Sequence, residues 1–308
     1  MGQEALAFVF PGQGSQFVGM GQELATFPEA RQIFAQADEV LGFALSRLCL
    51  EGPEAELNDT LNTQPAIVTH SVAALRVVEQ RTSLGAGLML VAGHSLGEFS
   101  ALVCSGALSF PDAIRLVRER GRLMKQAGQQ RPGGMAAVLN LDRAVLEQVC
   151  AEATRVTGQP VQVANDNCPG QIVISGDKTA LDKAMELAKS RGAKRSIPLA
   201  VSIAAHSPLM AGAAQEFRAA LETAQWNAPR VPVVANAIAR PVAHGSAIDL
   251  LVAQLTSPVR WTESVQFMIG KGVTRFIEVG PKEVLTGLIK RIDAAVTVEA
   301  TASVLSSL

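Results

Sequence analysis

A chain of 308 residues that is 48% hydrophobic can bury a large core and is long for one compact unit, so a large domain carrying a smaller one is expected. Lys and Arg number 27 against 28 Asp and Glu, which leaves no basic field for nucleic acid or an anionic membrane. No apolar run approaches the roughly 20 residues that span a bilayer, Met1-Gly2-Gln3-Glu4 lacks the positive start of a signal peptide, and Leu6 breaks a myristoylation motif, so a cytosolic protein is expected.

Residues 5–10 read as a short apolar strand that stops at Pro11 and opens into Gly12-Gln13-Gly14-Ser15-Gln16. The glycines permit close approach of backbone N–H groups to a ligand, but the loop lacks the ending of a P-loop and the rest of a dinucleotide fingerprint, so alone it reads as an ordinary turn. Helical periodicity follows over 28–41, 45–50 and 63–81, the last apolar on nearly all sides in its first half. Residues 88–92 then form a buried strand that runs into Gly93-His94-Ser95-Leu96-Gly97, with an amphipathic helix over 99–104. Strand, G-x-S-x-G and helix together make a nucleophile elbow: the flanking glycines leave room in a strained turn, and the serine is lifted clear of the sheet. A helix from Phe110 to about Gln126 is predicted to end at Gly128 and Pro132-Gly133-Gly134.

After that break the chain changes character. A strand over 135–141, a helix over 143–154, strands over 161–164 and 171–175, a helix over 178–190 and a strand over 194–199 give β-α-β-β-α-β, the order of a ferredoxin-like unit. Residues 130–198 are therefore predicted to be a small domain inserted between 1–129 and 199–308. His206 follows, in an apolar surround read as the turn after a β-segment and before a helix begun by Pro208. Strands over 233–236 and 274–279 and helices over 248–255 and 264–271 complete an α/β large domain, α/β-hydrolase-like with a mainly parallel sheet.

A serine at an elbow is a weak nucleophile until a base takes its proton, and four histidines are present: His70, His94, His206 and His244. His70 reads as a hydrogen-bonded core residue, His94 should project away from its neighbour Ser95, and His244 reads as solvated. His206 is the best candidate, because loops converge on a site at the end of a parallel sheet. The group that orients its imidazole stays open among Asp249, Glu278 and a backbone carbonyl. Nor does spacing choose which of Arg115, Arg118, Arg120 and Arg122 faces the site. The cysteines, Cys49, Cys104, Cys150 and Cys168, are too scattered for metal ligands or staples and read as buried thiols.

Seven motifs, in order and spanning the whole chain, resemble the malonyl-CoA:acyl carrier protein transacylases: Phe10 to Gln16, Gly93 to Glu98, Arg120-Gly121 with Leu123-Met124, Asn167 to Gly176, His206 with Leu209-Met210, Gln254-Leu255 before Ser257-Pro258-Val259, and Glu278 to Pro281. The resemblance implies that Ser95 attacks the thioester of malonyl-CoA with His206 as base, that main-chain N–H groups of Gln13 and Leu96 form the oxyanion hole, and that Arg120 pairs with the malonyl carboxylate. It also implies that the carbonyl of Gln254 orients His206 and that Gln254 and Asn167 line the substrate site. The acceptor would be the phosphopantetheine thiol of an acyl carrier protein, with no metal and no permanently bound cofactor, coenzyme A arriving only as the substrate thioester. A monomer is expected from the size. Two alternatives use the same serine: a hydrolase of carrier-bound acyl chains, against which Arg120 argues, and a transferase of a bulkier carboxylated extender such as methylmalonyl, to which Ala205 before the histidine leaves room.

Overall fold

The computed structural model describes residues 5–243 and 245–306. Its strands, in chain order, are β1 (Leu6–Phe10), β2 (Leu88–Gly93), β3 (Gly133–Leu139), β4 (Val161–Cys168), β5 (Gln171–Asp177), β6 (Arg195–Pro198), β7 (Val233–Ala235), β8 (Arg240–Pro241), β9 (Arg275–Glu278) and β10 (Thr297–Ala300). They form two sheets, ordered β10-β9-β1-β2-β7-β8 and β4-β5-β3-β6.

The larger sheet is parallel except where β8 turns back on β7. β1 lies inside it and is buried at all five positions, as a strand covered on both faces must be. Helices over Thr60–Arg81, Gly97–Cys104 and Phe110–Gln130 pack with Phe8, Phe10 and Val91 in the main core, while Trp261, Val265 and Met268 fill a second core on the other face with Ala7, Val9 and Ala92. The carboxyl ends of β1, β2, β7 and β9 open on one edge, where loops in a sheet of this kind build a site. Among the described residues no helix is long and apolar enough to cross a membrane.

The smaller sheet is wholly antiparallel, with the strand order of a ferredoxin-like unit, and helices Arg143–Thr157 and Lys178–Ser190 bury Leu146, Val149, Leu181 and Ala184 against Ala136, Val138 and Ile174. The expected fold class is thus observed in both parts. β4 runs four residues beyond its predicted end, through Asn165-Asp166-Asn167-Cys168. That polar stretch carries no apolar alternation; it is extended because it pairs irregularly with β5 and exchanges hydrogen bonds with Val259, the N–H of Asp166 donating over 2.9 Å and the carbonyl of Ala164 accepting over 2.8 Å.

Two further expectations change. The helix begun at Phe110 passes through Gly128 to Gln130, because Gly128 marks a close approach and not a stop: a Cβ there would lie 3.0 Å from Ile203. The stretch before His206 is no strand; it crosses that helix as irregular chain, and Pro208 opens a single 3₁₀ turn before the helix Ala211–Leu221. β8, β10 and the helix Thr301–Leu305 carry patterns too short to be read, whereas the nine-residue helix Val284–Ile292 is absent from the predicted elements although its pattern is long enough.

Candidate active site

The elbow is as tight as its glycines require. A Cβ on Gly93 would stand 1.9 Å from the carbonyl carbon of Gly97, and one on Gly97 would stand 2.1 Å from the carbonyl oxygen of Phe10. Ser95 takes the left-handed region at φ 50°, a strained conformation held from outside. Asn236, just past β7, does the holding: its Oδ1 accepts from the Ser95 N–H over 2.6 Å and its Nδ2 donates to the Gly93 carbonyl over 2.6 Å. The Gly12-Gln13-Gly14 loop after β1 abuts the turn, with Gly12 against the carbonyl of His94 and the Gln13 side chain donating to Thr60 Oγ1 over 3.2 Å. Leu96 follows at the head of the Gly97–Cys104 helix.

His206, only 3% exposed, places Nε2 2.8 Å from Ser95 Oγ. Its Nδ1 lies 2.7 Å from the carbonyl oxygen of Gln254. A carbonyl only accepts, so Nδ1 carries the hydrogen and the Nε2 lone pair faces the serine hydroxyl. Burial, and next the charge of Arg120, push the imidazole down to about 3, so it is neutral near pH 7 and able to take a proton from the hydroxyl.

Arg120 is 2% exposed and meets only neutral acceptors: Gln64 Oε1 at 3.0 Å, Gln254 Oε1 at 3.0 Å and Ser95 Oγ at 3.2 Å. Burial lowers its pKa to about 10, which still leaves it charged at neutral pH, and its Nε has no partner. A buried guanidinium without a carboxylate in contact can receive one from a ligand. The other three arginines face elsewhere: Arg115 pairs with Asp112 at 2.5 Å, Arg122 with Glu119 at 2.7 Å, and Arg118 donates to the Leu61 carbonyl and Asn62 beneath the ring of Phe43.

Of the groups left open for orienting His206, both acids lie elsewhere. Asp249 pairs with Arg218 at 2.7 Å, and Glu278 caps the Val284–Ile292 helix through the N–H groups of Leu285 and Thr286 at 2.9 and 2.7 Å. His70 is buried against Glu23 at 2.9 Å, and His94 turns from the serine to Asn167 Oδ1 at 2.8 Å, edge-on to Trp261. His244 lies outside the described residues. The four cysteines are unpaired and buried; burial pushes Cys49, Cys104 and Cys150 up to about 12, too high for thiolate chemistry. Among the described residues no cluster of acids, histidines and cysteines could hold a metal.

Glu98, Asn236 and Gln64 were not singled out from sequence. Glu98 is 1% exposed and accepts from the Asn236 N–H and from Gln254 Nε2, both at 2.9 Å; burial raises its carboxyl to about 7 against these bonds and the charge of Arg120. Its signal is the lone charged residue of a helix, Gly97–Cys104, that is buried throughout. Gln254 joins the groups: besides its carbonyl on His206, its side chain accepts from Arg120 and donates to Glu98 and, over 3.0 Å, to the Ser95 carbonyl.

Residues 7–305 match the acyl transferase domain, and the chain is a member of that family, whose chemistry an elbow serine at the rim of a parallel sheet can serve. Its relatives narrow the class. It is 48% identical over 296 residues to the malonyl CoA-acyl carrier protein transacylase of Escherichia coli K12, covering 96% of this chain and 94% of that protein. It superposes with a TM-score of 0.94 on the crystal structure of the malonyl-CoA:acyl carrier protein transacylase of Xanthomonas oryzae, at 44% identity over 100% of this chain and 99% of that one. A malonyl-transacylase solved in complex with its type II polyketide synthase acyl carrier protein gives 0.93 at 43% identity, over 99% and 100%.

Proposed function

We propose that the protein moves the malonyl group of malonyl-CoA to the phosphopantetheine thiol of an acyl carrier protein through an ester on Ser95. The observation that carries this is the single hydroxyl shared by a neutral imidazole at 2.8 Å and a buried, carboxylate-free guanidinium at 3.2 Å. His206 Nε2 takes the Ser95 proton as Oγ adds to the thioester carbonyl, and returns it to the sulfur of coenzyme A as the carbon–sulfur bond breaks. The carrier thiol then gives its proton to the same nitrogen, its sulfur attacks the ester, and the proton goes back to Ser95. Main-chain N–H groups of Gln13 and Leu96 would receive the oxyanion between steps. Arg120 would hold the malonyl carboxylate, assisted by Gln64 and Gln254, and Asn167 would lend its amide to the acyl group. An acetyl group would leave the guanidinium uncompensated, which is the basis for its rejection.

The same reading makes 1–129 with 199–308 the catalytic domain and 130–198 the smaller one, needs no permanently bound cofactor, and places a monomer in the cytoplasm. Intact-protein mass after incubation with malonyl-CoA tests the reaction. A malonyl adduct should form on the wild type, be absent from Ser95→Ala, and discharge onto a phosphopantetheinylated carrier protein. Discharge to water as fast as to carrier would instead make the protein a hydrolase.

A further inference from the structure

β4 belongs to the smaller sheet, yet one of its side chains reaches the loop that bears His206. The amide nitrogen of Gln162 lies 2.7 Å from the carbonyl oxygen of His206 and 2.9 Å from that of Thr256. Two acceptors facing one atom fix the orientation of the amide, because only its NH2 can donate to both. Both partners matter to the imidazole. His206 sits in the left-handed region at φ 58°, where a residue with a large side chain stays only if its surroundings hold it. Thr256 lies two residues past Gln254, whose carbonyl fixes the ring through Nδ1. Gln162 therefore ties the backbone that carries the imidazole to the turn that aims it.

We infer that Gln162 is a positioning residue for His206, through which the smaller sheet takes part in acyl transfer. This rests on His206 being the base for Ser95. Both bonds of Gln162 go to main-chain carbonyls, and none goes to Arg120, which Gln64 and Gln254 hold through their side chains. Loss of the two donor bonds should thus slow the proton transfer and leave substrate capture intact, since misplacing a reacting group by about 1 Å costs on the order of a hundredfold in rate.

The test compares wild type with Gln162→Met, which keeps length and removes the donors. The maximal rate of Ser95 acylation by malonyl-CoA should fall about 10- to 100-fold with KM within about twofold. In a sample labelled with 15N-histidine, where the chain holds only 4 histidines, the Nδ1 proton of His206 should broaden or move upfield. A folded Gln162→Met with wild-type rate, or one whose rate falls while the His206 resonance is unmoved, would overturn the inference. If that variant fails to fold, Gln162→Asn, which keeps the amide one methylene short, is read by the same two criteria. Failure of the wild type to form an ester at Ser95 would sink the proposed reaction itself, a distinct outcome.

Discussion

Two arginines show how surroundings decide what a charge is for. Arg143, at the start of the first helix of the smaller unit, is one-third exposed and touches Glu147 and Glu263 at 2.8 Å and Asp166 at 3.2 Å. Its carboxylates raise its pKa further, and the cluster clips the smaller sheet to the Trp261–Gly270 helix. Arg120 is buried with amide and hydroxyl oxygens only, and its pKa falls. The first charge is satisfied within the fold. The second, on the proposed mechanism, would take an anion from outside, because the acceptors it touches are neutral and Glu98 acts on it only through space.

The comparison breaks most visibly at Arg120. Arg120→Ala should lower the malonyl acylation rate about 100- to 1000-fold, the scale of losing a charge-assisted pair in a dry site, while raising acetyl relative to malonyl transfer. Arg120→Lys should fall between, because an ammonium keeps the charge and loses the two-pronged geometry. Equal malonyl and acetyl rates in the wild type would undo the argument.

A titration sharpens it. Arg120 is the second cause, after burial, of the depressed His206 pKa, so Arg120→Ala should move the imidazole upward in the unliganded protein; an unmoved resonance would mean that burial alone sets it.

Glu98 gives a stability test. Its pKa in the fold, about 7, lies above the ordinary 4.5, so the folded state holds a proton that the unfolded chain releases, and stability falls as pH rises from 4.5 to 7. His206, depressed from 6.5 to about 3, has the opposite slope: stability falls as pH drops from 6.5. The two oppose each other between about 4.5 and 6.5. Glu98→Gln removes one, so melts across pH should show the variant gaining on wild type as pH rises, by at most about 1.4 kcal/mol per pH unit. A difference independent of pH would show that folding does not raise the Glu98 pKa.

Arg143→Ala should have the smallest effect, about 1 kcal/mol or less in stability with acylation within twofold of wild type, as for solvent-exposed ion pairs elsewhere. A large kinetic loss there would erase the distinction between the two arginines.

Legibility in the sequence followed how local each signal is. The elbow could be read because strand, glycine spacing and helix are adjacent, and the ferredoxin-like order because its strands and helices alternate in close succession. The contact that orients His206 stayed open on the residues alone, since a backbone carbonyl leaves no side-chain signature, and only family resemblance pointed to Gln254. Asn236, Gln162 and Glu98 act through partners 138 to 143, 44 and 94, and 138 and 156 positions away, pairings set by which strand ends meet. In sequence, Glu98 is an acid in the first turn of a helix, where an acid ordinarily complements the dipole. Gly128 misled because a glycine that admits a crossing chain looks the same as one that ends a helix.

Gln254 touches His206 with its backbone and Arg120 with its side chain. On the proposed mechanism, choice of substrate and speed of reaction would therefore be mechanically one property. An engineer who reshapes the guanidinium side for another acyl group also disturbs the aim of the imidazole, so a change of diet brings slower turnover unless residue 254 is left in place and space is carved elsewhere.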